Sequence, residues 1–284
     1  NKIISFFIIF NILTISNSKA NSETNFYIWL ETFKKKALSK GISKETIETS
    51  LKNVKFLSKV IEYDRKQPEF YEDTNTYVKK RASFSRAKKA NELYKKNKKL
   101  FNKVEKEFKV EKEILLALWG IETNFGKHVG KMDIISSLAT LSFDKRRREF
   151  FSSQLIILLK LIDEKLIDHN TLYGSWAGAY GNFQFMPSSI ERYALDYDNN
   201  NKIELKKSLQ DALASAANYI NKMGWKINEP CFYRVKLTKN IKKKYFNFSA
   251  RNISNKQKIS KWKKFGVLND DGTELKTNLV AALV

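Results

Sequence analysis

The feature that most constrains this chain is an apolar helical stretch that begins at Val110. It reads VEKEILLALWGIETNFGKHVG, is stopped by Gly126 and Gly130, and is followed by two more helix-period segments, MDIISSLATLSFD and REFFSSQLIILLKLIDEKLI. Apolar residues too numerous for one exposed helix face predict buried helices. Since glycine and proline are scarce, with 10 and 3 residues in 284, we predict a mainly α fold whose core lies in 110–226.

The first 20 residues differ in composition from the rest of the chain. They carry a Lys near the front, an apolar stretch from Ile3 to Ile15, and a small polar run that closes at Ala20. This order is typical of a secretory signal peptide, which we expect to be removed after Ala20. The apolar stretch is shorter than the ~20 residues of a membrane-spanning helix. The only cysteine, Cys231, is far from a lipid-anchor position, so we expect an exported chain with neither a stable transmembrane segment nor a disulfide.

Two further regions flank the predicted core. Residues 21–109 show helical periodicity, with Ser43 placed to cap the helix that follows it and one long amphipathic segment over 81–108. Residues 227–284 alternate in the pattern of strands and turns, so we predict a small α/β region there. The chain begins with Asn and stops inside the apolar run NLVAALV. We therefore expect this last region to be truncated.

The chain carries a formal net charge of +23. An excess of this size favours an anionic partner such as nucleic acid, an acidic membrane surface or an acidic polymer. Surfaces filled with solvated lysine give the same count, and the Lys residues of 81–108 fall largely on the face opposite the apolar ones. Charge alone thus leaves both electrostatic steering and simple solvation open.

Glu122 places one carboxylate at the end of the apolar run ALWGIETNFG. On a helix, Leu115, Leu118 and Glu122 share one face, close to Trp119. Desolvation there disfavours the charged carboxylate, so its pKa rises and the group can carry a proton near neutral pH, as a general acid requires. The structural alternative is a Glu at a helix end whose oxygens bind a nearby loop.

A glycine-rich loop over 173–189 follows the core helices. It reads YGSWAGAYGNFQFMPSS and interleaves three glycines with aromatic rings and the amide of Gln184. Glycine permits close backbone approach, and flat apolar rings stack on sugar faces. The loop predicts a sugar-binding groove, with a tight loop that only closes the core as the alternative.

The chain closely resembles the membrane-bound lytic murein transglycosylase B family in four ordered blocks: ALWGIETNFGKHVG, SLATLSFDKRRREFF, GSWAGAYGNFQFMPSS and DALASAANYINKMGW. The resemblance is strong over 110–226 and implies a lysozyme-like catalytic core in a periplasmic enzyme. The implied reaction cleaves the MurNAc–GlcNAc β-1,4 bond of peptidoglycan, with Glu122 as the single acid/base and the MurNAc C6 hydroxyl as nucleophile. The product would be a 1,6-anhydro sugar. Because the nucleophile belongs to the substrate, the second carboxylate of an ordinary glycosidase is not needed.

The resemblance also implies further site residues. Those expected to line the sugar groove are Ser175, Gln184, Tyr219 and Tyr77. Those expected to hold a peptide-stem or lactyl carboxylate are Arg146 and Arg147. The family's tyrosine and asparagine groove residues near the C-terminus are absent from this chain. Asp133 and Asp144 are expected to be cap or turn residues, and either one facing Glu122 would favour simple hydrolysis.

The family often carries a calcium-type loop, and DYDNNNKIELKK occupies its place at 196–207. Its ligand positions would be filled by Asp196, Asp198, Asn200, the Lys202 carbonyl and Glu204. The EF-hand-like pattern is degenerate, since Asn201 replaces the turn glycine and Lys207 the final acid, for which Asp211 could substitute. We expect no required cofactor, and either a structural Ca²⁺ or Na⁺ or an asparagine-stabilised turn.

Other functions are open at this stage. A basic nucleic-acid-binding protein would use the Lys and aromatic residues of KNIKKKYFNFSARNISNKQKISKWKKF, but an export signal argues against it. A lysozyme-type hydrolase or an inactive wall-binding module would keep the groove. His128 and His169 are too isolated for a metal site. We expect peptidoglycan glycan strands as the substrate, wall-synthesis proteins as candidate partners and no nucleic acid.

Overall fold

The computed structural model describes residues 22–66, 74–247, 253–276 and 279–284. The predicted signal peptide, 1–20, lies outside these residues. Contacts between Cα atoms divide the chain into two units, Asn1–Phe70 with Phe84–Ile227 and Tyr71–Ser83 with Asn228–Val284. The predicted N-terminal helical region and core therefore share the first unit, except for 71–83.

Helices dominate the described part of the chain. They are α1 (22–39), α2 (Lys44–Leu51), α3 (Ser58–Lys66), α4 (Thr74–Arg81), α5 (Phe84–Lys96), α6 (Lys98–Phe108), α7 (Lys112–Thr123), α8 (Ile134–Phe143), α9 (Arg148–Asp163), α10 (Pro187–Tyr193), α11 (Leu209–Lys222) and α12 (Ile259–Lys264). No helix among the described residues combines the length and apolar character needed to cross a membrane. The predicted mainly α fold is confirmed.

The core of the first unit is centred on α8. Every residue of α8 from Ile134 to Ser142 is buried, since the sequence IISSLATLS has no charged face to present to water. Helix α9 buries Leu155, Leu158 and Leu159, and α7 buries Leu115, in the same apolar cluster. This unit also contains one short antiparallel pair, β1 (Met132–Asp133) with β2 (Tyr173–Gly174). The pair ties the chain before α8 to the start of the glycine-rich loop.

The second unit has a separate small core. Its antiparallel strand pairs are β3 (Val235–Leu237) with β5 (Val267–Asn269) and β4 (Gln257–Lys258) with β6 (Val280–Ala281). The fully buried Trp262 of α12 anchors the cluster and donates from Nε1 to the Ala281 carbonyl at 2.8 Å. The described residues of the predicted C-terminal region thus contain the expected strands.

Two local predictions concern Ser43 and the segment 81–108. Ser43 caps α2 as expected, because its hydroxyl accepts from the Thr46 amide at 3.2 Å. The amphipathic segment 81–108 contains two helices, α5 and α6, which are separated at Asn97. The Asn97 side chain donates to the Leu93 carbonyl at 2.9 Å, and such side-chain bonds to the backbone compete with helix propagation.

Candidate active site

Helix α7 ends in a sharp turn just after Glu122. Asn124, Phe125 and Gly126 have φ of 50°, 59° and 80°, all in the left-handed region. The Asn124 amide donates to the Gly120 carbonyl at 3.1 Å and so closes the helix end. A Cβ at position 126 would stand 2.6 Å from Asn182 Oδ1, so glycine is required both for its backbone angle and for the close approach of the loop.

Asn182 of the glycine-rich loop is bound to the last turn of α7. Its Oδ1 accepts from Trp119 Nε1 at 2.9 Å, and its carbonyl accepts from Thr123 Oγ1 at 2.8 Å. Its Nδ2 donates to the carbonyls of Leu205 and Lys206 at 3.0 and 3.1 Å. Because Asn182 and Thr123 are both buried, these bonds fix where Glu122 stands relative to the loop.

Glu122 lines a cavity of about 310 Å³ between α7, the glycine-rich loop, α10 and α11. The other lining residues are Leu118, Phe183, Gln184, Phe185, Met186, Ser189, Ala216, Tyr219 and Ile220. Within the described part of the chain, no group forms a hydrogen bond or ion pair with the Glu122 carboxyl. Water reaches the side chain, yet the surrounding protein atoms desolvate it and raise its pKa above the ordinary 4.5.

The cavity contains no second acid among its described lining residues. Asp133 is the N-cap of α8 and accepts from the Ser136 amide at 2.6 Å. Asp144 lies at the C-terminal end of α8 and pairs with Arg65 at 2.9 Å. The expectation that both are cap or turn residues is confirmed, and neither lines the cavity with Glu122.

Gln184 and Tyr219 meet Glu122 in this cavity. Gln184 has a φ of 53°, which few residues other than glycine adopt, and its Nε2 donates to the carbonyls of Gly181 at 3.0 Å and Val129 at 3.2 Å. Tyr219 packs edge-on against Phe185 and Tyr193, with ring centroids 6.0 and 4.9 Å apart. Both side chains are therefore held in place at the wall of the cavity.

The acidic loop after α10 brings three carboxylates together. Ligand atoms of Asp196, Asp198 and Asp211 lie within 4.8 Å of one another. Asp211 is fully buried and accepts from the amides of Tyr197, Asp198 and Glu204. The three carboxylates offer oxygen ligands to a hard cation such as Ca²⁺. One of these oxygens, Asp198 Oδ1, is buried and accepts no hydrogen bond from the described residues.

Asn201 stands where the calcium-type pattern has glycine. Its φ is 64°, so asparagine supplies the left-handed backbone that the turn needs. Asn200 Nδ2 donates to Glu204 Oε2 at 3.2 Å, and Glu204 is not part of the three-carboxylate group. Asn201 departs from the calcium-type sequence pattern, but its backbone keeps the left-handed conformation that the pattern needs at this position.

The family of this chain follows from its similarity to known proteins. The sequence model described as "Transglycosylase SLT domain" matches residues 25–284. The chain belongs to this transglycosylase family. Over 117 residues, 41% of the chain, it is 43% identical to membrane-bound lytic murein transglycosylase B of Escherichia coli (strain K12), and the match spans only about a third, 32%, of that relative.

The fold of this transglycosylase family member resembles those of solved lytic transglycosylases. SltB3 of Pseudomonas aeruginosa, in complex with NAG-NAM-pentapeptide, has a TM-score of 0.84 and 30% identity, covering 91% of this chain and 69% of that one. Slt35 of Escherichia coli, in complex with calcium, has a TM-score of 0.73 and 28% identity, covering 89% and 78%. The predicted lysozyme-like fold is confirmed.

Ser175 and Tyr77 do not line the cavity of this transglycosylase family member. The Ser175 hydroxyl accepts from the Ala179 amide at 2.9 Å within the turn that opens the glycine-rich loop. Tyr77 lies on α4 in the second unit, with its ring 4.8 Å from the Arg81 guanidinium. Their groove roles stay predictions.

The predicted arginine pair lies on the turn between α8 and α9. Arg146 and Arg147 both contact Asp64, a buried residue of α3, and they line a second cavity of about 360 Å³. Sequence reasoning did not find Asp64, because it lies 82 and 83 positions from its partners. It also missed Met186, Ser189, Ala216 and Ile220 at the first cavity. The helical spacing of Ala216 and Ile220 around Tyr219 was the available signal.

Proposed function

We propose that this chain is a peptidoglycan lytic transglycosylase that cleaves the MurNAc–GlcNAc β-1,4 bond. The observation that carries the proposal is the Glu122 carboxyl, which is desolvated, free of partners among the described residues, and the only acid among the described residues that line its cavity. Membership of the family and the likeness to SltB3, a protein solved with NAG-NAM-pentapeptide, support the same substrate class.

One carboxyl suffices for the proposed reaction. Protonated Glu122 gives its proton to the glycosidic oxygen as the bond to MurNAc C1 breaks. The resulting carboxylate then accepts the proton of the MurNAc C6 hydroxyl as that oxygen bonds to C1, which yields the 1,6-anhydro ring and restores the acid. A raised pKa serves both steps, because it keeps the acid protonated at higher pH and makes its carboxylate a stronger base.

Gln184 and Tyr219 are proposed to bind the sugar rings next to Glu122. Tyr219 presents an aromatic face and a hydroxyl, and no described residue donates to Gln184 Oε1, so this oxygen can accept from a sugar hydroxyl. Ser175 and Tyr77 are proposed to extend the groove, and Arg146 and Arg147 to bind the peptide-stem or lactyl carboxylate.

A structural cation is proposed for the acidic loop. Asp196, Asp198 and Asp211 would hold Ca²⁺ or Na⁺ through carboxylate oxygens. The Asn200 side chain and the Lys202 carbonyl stand at the further ligand positions of the loop pattern. Bound calcium would offset two of the three carboxylate charges and fix the loop to the start of α11. The complex of Slt35 with calcium supports this choice of ion. No catalytic step is assigned to it.

The chain is proposed to act in the periplasm after signal-peptide removal. Wall-synthesis proteins are proposed as partners, and the net charge of +23 favours attraction to stem-peptide carboxylates. Affinity for sacculi is then expected to fall as ionic strength rises. Affinity that stays flat between low and high salt would contradict this attraction and leave the catalytic proposal untouched.

Mass spectrometry of digested sacculi tests the proposed reaction. Wild type is expected to release muropeptides with 1,6-anhydro ends, and Glu122→Gln to release them at least about 100-fold more slowly. Glu113→Gln is the matched control, because Glu113 is an exposed residue of the same helix that pairs with Lys112. Reducing ends in place of anhydro ends would identify a hydrolase, and no release by wild type would identify a wall-binding module.

A further inference from the structure

Asp64 is a buried carboxylate that the reaction does not use. It is 1% exposed and lies near the C-terminal end of α3. Arg147 Nη2 contacts its Oδ1, Arg146 Nη1 lies 3.4 Å from its Oδ2, and the same Nη1 donates to the Asp64 carbonyl. A buried charge needs partners of this kind. One acid on α3 therefore holds both members of the arginine pair.

The two guanidinium groups keep some of their donors for another ligand, although the Arg147 Nε–H is buried. Each guanidinium has five N–H donors in a fixed planar arrangement, and Asp64 occupies one or two of them. The side chains of Arg146 and Arg147 are 45% and 36% exposed. Stacking of the Arg147 guanidinium on the Phe151 ring, 4.7 Å from its centroid, limits the orientations that this group can take.

The cavity beside the pair stays cationic despite Asp64. Its lining residues are Lys145, Arg146, Arg147, Arg148, Glu149 and Phe150. Four of these six are basic and one is acidic, so the lining favours an anion with planar oxygens, such as a carboxylate. At about 360 Å³, the cavity is large enough for part of a peptide chain.

Helix α3 also contacts the glycine-rich loop. Tyr63, the residue before Asp64, packs against Trp176 with ring centroids 6.3 Å apart. Consecutive residues of α3 thus contact the glycine-rich loop through Tyr63 and the arginine turn through Asp64. Helix α3 therefore connects the arginine turn with the start of the glycine-rich loop.

We propose that Asp64 is a positioning residue for substrate recognition, which orients Arg146 and Arg147 toward the stem-peptide carboxylate of a bound glycan strand. The proposal rests on the transglycosylase function proposed above. Without Asp64, two long side chains would regain rotamer freedom that binding must then remove. A residue that only competed with the ligand for the arginines would have the opposite effect, since its removal would tighten binding.

Steady-state kinetics on two substrates test Asp64. With Asp64→Asn, we expect KM for peptide-bearing glycan strands to rise about tenfold with kcat changed less than twofold, an effect of the size of one lost charge-assisted contact. KM for strands stripped of their peptides should not change. Glu62→Gln is the control, because Glu62 is an exposed acid of the same helix and does not pair with either arginine.

Two further variants keep the outcome decisive. Asp64→Glu retains the charge and is expected to raise KM less than Asp64→Asn does. In an Arg146→Gln/Arg147→Gln background, Asp64→Asn should add nothing to KM, because it acts through the pair. An unchanged or lowered KM, equal losses on both substrates, or failure of both Asp64 variants to fold would overturn the positioning role. Absence of anhydro products from wild type would instead overturn the proposed function.

Discussion

Two carboxyl groups of the first unit, Glu122 and Asp211, show opposite solutions to the same physical problem. Desolvation by the surrounding protein raises the pKa of both. Water still reaches the Glu122 side chain, whereas Asp211 is fully buried. Asp211 accepts from three backbone amides of the acidic loop, the nearest at 2.9 Å. Glu122 has no partner among the described residues. Hydrogen bonds therefore partly offset the desolvation of Asp211, and no described hydrogen bond offsets that of Glu122.

The difference separates a structural acid from a candidate catalytic one. Hydrogen bonds to the charged form lower the pKa and resist proton transfer, and the three amides oppose the effect of burial at Asp211 in this way. At Glu122 no described hydrogen bond opposes the effect of desolvation, so the carboxyl is open to solvent and to a substrate. We infer that partner count, more than the direction of the pKa shift, distinguishes the two roles.

The largest expected effect is on activity at Glu122. Glu122→Gln should lower kcat by roughly 10²- to 10⁴-fold, the range for a lost general acid, and should leave the thermal midpoint within a degree or two because no described hydrogen bond is lost. Release of soluble muropeptides and a thermal melt measure the two quantities. Substantial residual activity in the Gln variant would contradict the catalytic role of Glu122.

At Asp211 the larger expected effect of a substitution is on stability. Asp211→Asn turns an amide NH₂ toward backbone N–H donors, so we expect the free energy of unfolding to fall by about 2–3 kcal/mol. Urea denaturation measures it. Asp168→Asn is the control, since Asp168 is a half-exposed cap residue and asparagine caps equally well. A loss of stability no larger than that of the control would show that the amide bonds do not matter.

Added calcium tests whether the acidic loop binds a cation that stabilises the folded chain. At a concentration about 100-fold above Kd, a cation bound only by the folded chain adds about 2.7 kcal/mol of stability. We expect added Ca²⁺ to raise the thermal midpoint of wild type but not of Asp198→Asn, and to leave the kcat ratio of wild type to Glu122→Gln unchanged. An equal rise in both proteins would place the ion elsewhere.

The smallest expected effect is the pH dependence of stability that Glu122 itself causes. Its pKa in the folded chain lies above 4.5, the ordinary value, so the folded state binds more protons than the unfolded state between these two pKa values. Stability from this group is therefore lost as pH rises through that window. Relative to wild type, Glu122→Gln should become more stable from low to neutral pH, measured by paired urea titrations. A constant difference would contradict the shift.

Local sequence patterns predicted much of this molecule. Ser43 was found because a cap and its helix are adjacent in the chain, and Glu122 because helix spacing places it beside Leu118. The strands of 227–284 followed from alternation. Each of these features depends on residues within a turn or two of one another, which a sequence pattern can represent.

Features that depend on distant residues or on fine backbone angles were not predicted. The contact of Asp64 with the arginine pair joins positions more than 80 residues apart, and the grouping of 71–83 with the last region is likewise non-local. Asn201 adopts the left-handed backbone at the position where the calcium-type pattern requires glycine. The break at Asn97 depends on one side-chain bond that competes with an otherwise helical pattern.

Direct titration of the Glu122 carboxyl is the most direct test of the central claim. In ¹³C NMR of the folded chain, the side-chain carboxyl signal of residue 122 is assigned as the one that Glu122→Gln removes. We predict a titration midpoint above 4.5, with Asp211→Asn leaving this midpoint in place. A midpoint at or below 4.5 would mean that the carboxyl is solvated like any surface glutamate, and the account of Glu122 as the single acid/base would be wrong.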